Sequence, residues 1–259
     1  MSRVVRIFET PQDFYEAAAN IVIEAANSAI AARGSFGVAL SGGNTPRSLY
    51  ALLTTDPWRA RIDWSRVLFF FGDERHVSPD HPDSNYRMAN EALLSKLSLR
   101  PDQVWPIKGE YPDAAKAAIE YEQVLREQLP PAANGIPQFD LVLLGLGPDG
   151  HTLSLFPGTK ALDVPAGRLA VSNWVGKFFT DRITITAPVA NQARQVVFLV
   201  RGVDKQLPLK AVLEGPFEPL QLPAQLIQPS TAPVLWLLDG EAAGLLAEPG
   251  KTDRHSNPA

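Results

Sequence analysis

Residues 139–159, FDLVLLGLGPDGHTLSLFPGT, leave this chain little choice of fold. The apolar run Phe139, Leu141, Val142, Leu143 and Leu144 is broken only by Asp140 and bounded by Pro137 and Gly145. A run so short and so apolar predicts a strand buried on both faces, as in a parallel sheet. The turn after it carries Gly145, Gly147 and Gly150, with Asp149 and His151 where the chain leaves the carboxyl edge of that sheet. Ligands of open α/β sheets bind at this edge. Taken alone, the histidine reads first as a hydrogen-bonded surface residue of a βα turn and only second as a reactive group.

The same glycines spell G-x-G-x-x-G, so dinucleotide binding is the first function to test. A dinucleotide fingerprint opens an unbroken crossover helix and sets an acid at the end of the next strand, about 20 residues on. Here the helical stretch expected after Gly150 is cut by Pro157 and Gly158, and the acid at that distance, Asp163, sits in the loop-like LDVPAG. No nicotinamide, and no other cofactor, is expected.

Elsewhere, strands are predicted over residues 4–8, 36–40, 63–71, 169–175, 182–186, 196–200 and 234–238. Helices are predicted over 11–33, from 45 to 53, from 84 to 97, and over 113–129 and 204–213, with a short alanine-rich one after Asp239. This alternation predicts a three-layer, Rossmann-like α/β fold, a mostly parallel sheet with helices on both faces. The 259 residues, 45% hydrophobic and 20% charged, suit one domain over 1–259, with a frayed tail at 249–259 in which His255 needs no role. A net charge of −4 gives no basic field for nucleic acid, so an anionic ligand must be met by a local cluster of cations. The absence of cysteine excludes disulfides, thiolate metal sites and a cysteine nucleophile. No stretch has the apolar length of a secretory signal or a membrane span, so a cytoplasmic monomer without membrane contact is expected.

Polar residues gather at the predicted strand ends. Ser41-Gly42-Gly43-Asn44-Thr45-Pro46 leads into a helix, with Thr45 as cap and Pro46 as its first residue. Glycines let a ligand approach the backbone, and a helix amino terminus offers unpaired N–H groups. A tight turn that needs glycine reads equally well, and a P-loop is excluded because no G-K-[ST] follows. Asp73-Glu74-Arg75 brings charge to a dry sheet edge, which is costly unless the groups are paired or solvated. The polar loop HVSPDHPD, residues 76–83, reads as a flap; His76 and His81 lack a helical spacing or a third histidine, so no metal is expected. Lys177 lies in a turn before the alternating RITIT of 182–186, and Lys205 follows Gly202 at a helix start.

GLGPDGHTLSLFPGT closely resembles the signature of the 6-phosphogluconolactonases, which share their fold with glucosamine-6-phosphate deaminases and, more distantly, with ribose-5-phosphate isomerases. SGGNTP, Asp73-Glu74-Arg75 with Ser84-Asn85, Lys177 and Arg182 with I-T-I-T, and the lysine after Gly202 resemble the other blocks of that family, so the likeness covers nearly the whole chain. The deaminase pattern has an acid just after the phenylalanine, in FNEP, and reads DEY rather than DER. Here Pro157 follows Phe156 and Arg75 stands in place of the tyrosine. The resemblance therefore implies hydrolysis of 6-phospho-D-glucono-1,5-lactone to 6-phosphogluconate, a pentose phosphate pathway step. It implies His151 as the base that activates water, oriented by Asp149 or Asp73, with backbone N–H groups of Gly42 to Asn44 or of Gly150 on the oxyanion. Substrate and phosphate contacts are expected from Ser41, Gly42, Gly43, Asn44, Thr45, Arg75, Asn85, Gly150, Lys177, Arg182 and Lys205. Ser154 stands in no G-x-S-x-G elbow and reads as a helix residue, not a nucleophile. A deaminase or isomerase using the same cradle, and a sugar-phosphate sensor with no use for His151, remain as alternatives.

Overall fold

The computed structural model describes residues 3–247; the tail expected to fray, 249–259 with His255, lies outside them. Strand β1 (Arg3–Phe8) leads into helix α1 (Pro11–Arg33). Thr10 Oγ1 accepts the Asp13 N–H at 3.1 Å, and Gly34, at φ 81°, ends the helix in the left-handed region that glycine tolerates. Then follow β2 (Phe36–Leu40), α2 (Asn44–Leu53), β3 (Val67–Phe71), β4 (Asp73–Arg75), α3 (Asn85–Ala92), β5 (Val104–Trp105) and α4 (Ala114–Gln128). The second half holds β6 (Leu141–Leu144), β7 (Ala170–Val175), β8 (Thr180–Ile185), α5 (Ala187–Gln192), β9 (Gln195–Val200), α6 (Gln206–Glu214), β10 (Val234–Asp239) and α7 (Gly240–Ala243).

Seven strands form one sheet in the order β1-β10-β9-β6-β2-β3-β5, every pair parallel. Every residue of β2, β6 and β10 is buried, which requires cover on both faces of the sheet. From β2 the chain steps outward through β3 to β5, then returns to β6 on the other side of β2 and steps outward through β9 and β10. The strand order thus reverses between β2 and β6, and a crevice opens there at the carboxyl ends. A separate three-stranded antiparallel sheet, β4-β8-β7, stands beside that crevice.

Several predicted boundaries move for local reasons. Asp63 Oδ1 accepts both the N–H (3.1 Å) and the hydroxyl (2.6 Å) of Ser65, so residues 64–66 form a 3₁₀ turn and the strand starts at Val67. Helix α2 starts at Asn44, with Gly43 rather than Thr45 at the cap position and no side chain capping it. Of Asp83 and Ser84, either of which the sequence allows as the cap of α3, Ser84 takes the position, but Leu93, at φ −134°, breaks the helix well before Leu97. No helix follows Gly150. Leu153 adopts φ 54°, Thr152 bridges Leu155, and Ser154 lies in a turn.

Candidate functional site at the strand-order reversal

A cavity of about 330 Å³ occupies the crevice. Its lining comes from the turns after β2 (Ser41, Gly42, Gly43) and β6 (Gly145 to Pro148, His151, Ser154), from the small sheet (Asp73, Arg75, Arg182), and from Asn85 and Lys205.

The β6 turn is built around the imidazole. The Gly147 N–H donates to the His151 carbonyl at 2.8 Å, and the Gly150 N–H donates to the Gly147 carbonyl at 3.1 Å. A Cβ on Gly147 would lie 1.9 Å from His151 Nδ1, so only glycine lets the ring fold back on its own turn. Phe156 packs on the other side, with ring centroids 4.1 Å apart. His151 Nδ1 meets Asp149 Oδ1. An ionised carboxylate only accepts hydrogen bonds, so Nδ1 carries the proton of the neutral imidazole and Nε2 is left with a free lone pair.

Asp149 also receives the Lys177 ammonium on its second oxygen. Burial alone would raise the Asp149 carboxyl, but the hydrogen bonds and charges of His151 and Lys177 outweigh it and hold the group well below the usual carboxylate range. The contribution of Asp149 to stability is therefore fully present above its unfolded value of about 4 and is lost as pH falls through the lower folded value. Asp149→Asn is accordingly expected to melt below the wild type at neutral pH, with the gap narrowing steadily on acidification below about pH 4; a gap that keeps its neutral-pH size at pH 2 would refute the linkage.

Of the two carboxylates that sequence leaves open as partners of His151, the structure brings Asp149 to the ring. Asp73 instead accepts Ser154 Oγ at 2.5 Å and Asn85 Nδ2 at 3.3 Å. Asn85 fits because the facing residue is glycine: a Cβ on Gly42 would lie 1.9 Å from Asn85 Oδ1. Glu74 points to the opposite face, where its buried carboxylate takes the N–H groups of Asn85 and Tyr86, both at 2.7 Å, and so fastens β4 to the start of α3.

Arg75 and Arg182 are register partners on adjacent antiparallel strands, so their side chains leave the same face of the small sheet. Burial first, and then repulsion from Arg75, push the Arg182 guanidinium below its ordinary value. A partly buried guanidinium beside a second one forms a site that an anion relieves. Lys205 is the third cation lining the cavity.

Other expected residues lie elsewhere. Lys177 does not line the cavity; its ammonium is held on Asp149, 4.7 Å from the Phe156 ring centroid and 4.9 Å from that of Phe178. Asn44 and Thr45 sit in the first turn of α2 outside the lining. Gly150 is also outside it, and its N–H is spent on Gly147, which removes it from the candidate oxyanion donors. None of residues 76–83, read as a flap, reaches the cavity; His76 Nε2 meets the Tyr111 carbonyl oxygen at 2.5 Å.

Sequence reading missed Phe178, which lines the cavity from the β7–β8 turn, and Tyr50, whose buried hydroxyl donates to the Ser41 carbonyl and accepts the Ser41 N–H, both at 2.9 Å. The helical spacing of Tyr50 marks it only as core. Among the described residues, no group of three or more His, Asp or Glu side chains could hold a metal, and no helix is long and apolar enough to cross a membrane.

Residues 9–236 match the family described as glucosamine-6-phosphate isomerases/6-phosphogluconolactonase. A 6-phosphogluconolactonase of Synechocystis sp. is 42% identical over 93% of this chain and 98% of its own, and one of Rattus norvegicus is 36% identical over 98% and 96%. The structure of 6-phosphogluconolactonase from Trypanosoma brucei superposes with a TM-score of 0.84 at 30% identity, covering 95% of this chain and 99% of that one. A monomeric glucosamine-6-phosphate deaminase, at 21% identity and a TM-score of 0.77 over 93% of this chain and 99% of its own, shares the fold. The chain belongs to the glucosamine-6-phosphate isomerase/6-phosphogluconolactonase family.

Proposed function

We propose that the cavity is the active site of a 6-phosphogluconolactonase, in which His151 Nε2 takes a proton from water as that water attacks the carbonyl of 6-phospho-D-glucono-1,5-lactone. The observation that carries this reading is His151, held by Asp149, in the lining of a cavity that Arg75 and Arg182 also line. Nδ1–H stays hydrogen-bonded to Asp149, so the imidazolium formed when Nε2 takes the water proton is stabilised in place. The carbonyl oxygen becomes an alkoxide in the tetrahedral intermediate. Gly42 and Gly43, at the uncapped start of α2, are the proposed donors to it, because the first N–H groups of a helix have no partner within it. Collapse of the intermediate breaks the ring C–O bond, and His151 returns the proton to the leaving oxygen, giving the open-chain acid. Arg75, Arg182 and Lys205 supply the positive charge for the phosphate, and Lys177 is reassigned from the phosphate to the support of Asp149.

Loss of that support in Asp149→Asn is expected to lower kcat by about tenfold, part of what a positioned base contributes. A single domain working as a monomer belongs to the same reading. The cytoplasm is the proposed setting, since a dianionic sugar phosphate does not cross a lipid bilayer unaided.

The test is acid release from fresh 6-phosphogluconolactone against its spontaneous opening, with glucosamine 6-phosphate as the competing substrate. Acid release should far exceed background, and no ammonia should appear, because Pro157-Gly158 follow Phe156 where the deaminase pattern FNEP has its acid. Steady ammonia production would reverse the assignment.

A further inference from the structure

Ser154 lies three residues beyond His151, is 1% exposed, and has all three of its polar groups taken by the small sheet. Its hydroxyl donates to Asp73 Oδ2 at 2.5 Å, its N–H donates to Thr184 Oγ1 at 3.2 Å, and its carbonyl accepts from Asn173 Nδ2 at 2.8 Å. One partner comes from each strand, β4, β8 and β7. The register pairs Asp73 with Thr184 and Thr184 with Val171, and pairs Arg75 with Arg182 and Arg182 with Asn173. Side chains alternate along a strand, so Asp73, Thr184 and Asn173 share one face with the arginine pair.

We propose that Ser154 is a positioning residue: its three-way clasp fixes the span between the Arg75–Arg182 pair and His151, and thereby converts phosphate binding into rate at the lactone carbonyl. The proposal rests on the lactonase reading and adds to it a mechanical link between the two ends of the substrate. Binding energy from a remote group raises kcat only if the remote site and the reacting site are held rigidly with respect to each other. The clasp is the direct polar connection from the arginine-bearing face to the chain that carries the base. Leu153, between His151 and Ser154, is held at φ 54°, a conformation that a leucine keeps only when its surroundings impose it. Thr184 and Asn173, 0% and 2% exposed, give the clasp no water to exchange with.

The experiment compares kcat on the phosphorylated lactone with kcat on unphosphorylated gluconolactone, as a ratio, for wild type, Ser154→Ala, Thr184→Val and Thr184→Ser, with thermal melting of each protein. Ser154→Ala removes the hydroxyl, and Thr184→Val removes the acceptor of the Ser154 N–H at constant shape. Each is expected to lower the ratio by about tenfold, the scale of a misplacement well below 1 Å. Thr184→Ser keeps the oxygen and should retain the wild-type ratio. Should Ser154→Ala fail to fold, the Thr184 pair still decides the matter. A ratio unchanged in both Ser154→Ala and Thr184→Val, or equal losses on both lactones, would overturn the clasp while leaving the lactonase reading intact. A wild type that accelerates neither opening would overturn that reading and the clasp with it.

Discussion

Replacing His151 with alanine is expected to lower kcat for the phosphorylated lactone by about a hundredfold or more, with KM little changed, because a positioned general base contributes about 10²- to 10⁴-fold. The effect should fall on kcat because, in the proposed mechanism, the imidazole meets the attacking water and not the phosphate. The ring is fixed by Asp149 on one edge and by Phe156 across its face, with Gly147 beneath it. Water entering the space left by the ring would meet one carboxylate of the lining, Asp73, and that group already accepts Ser154 and Asn85. His76→Ala provides the contrast: its ring is bonded to the Tyr111 carbonyl outside the cavity, and its loss should do far less. An unaltered kcat in His151→Ala, or equal losses in the two variants, would remove His151 from the chemistry.

The parallel sheet was legible because its strands are short, apolar and separated by helices with readable starts, such as Thr10-Pro11 and Ser84. The turns after β2 and β6 were legible because glycines there serve close approach: Gly42 against Asn85, and Gly147 against His151. Of the small sheet, β7 and β8 were legible as the strands expected over 169–175 and 182–186, but β4 was not. Asp73, Glu74 and Arg75 are too few to show a period, and they become a strand only by pairing with residues 182–184 far along the chain. Once paired, their alternation sorts them, with Asp73 and Arg75 toward the cavity and Glu74 toward α3. The segment after His151 reads as helix by composition, yet contacts from three different strands hold Ser154 out of one. Lys177 and Lys205 look alike as lysines after strands. Their different fates depend on the turn that ends at Phe179, φ 49°, which leaves the Lys177 ammonium on Asp149, a contact that residue spacing does not encode.

Arg182→Ala is expected to raise KM for the phosphorylated lactone by about tenfold to a hundredfold, since a charge-assisted hydrogen bond is worth roughly 1.5 to 3 kcal/mol and about 1.4 kcal/mol is one decade. The case for so large an effect comes from the resting site. Arg182 faces Arg75 across adjacent strands, and burial together with that neighbour disfavours its charge. A dianion entering between the two guanidinium groups gains two sets of charge-assisted bonds and at the same time cancels the repulsion that the empty site carries. The alanine variant keeps Arg75 but loses both the second fork and the enforced geometry. Arg182→Lys should recover only part of the loss, because an ammonium cannot reproduce the planar bidentate contact. Unphosphorylated gluconolactone supplies the control: the wild type should use it poorly, and Arg182→Ala should change its KM much less than that of the phosphorylated lactone. Equal losses on both lactones would mean that Arg182 serves the reacting carbonyl or the fold of the small sheet, and the phosphate would then have to be met by Lys205 and the turn before α2, which also line the cavity.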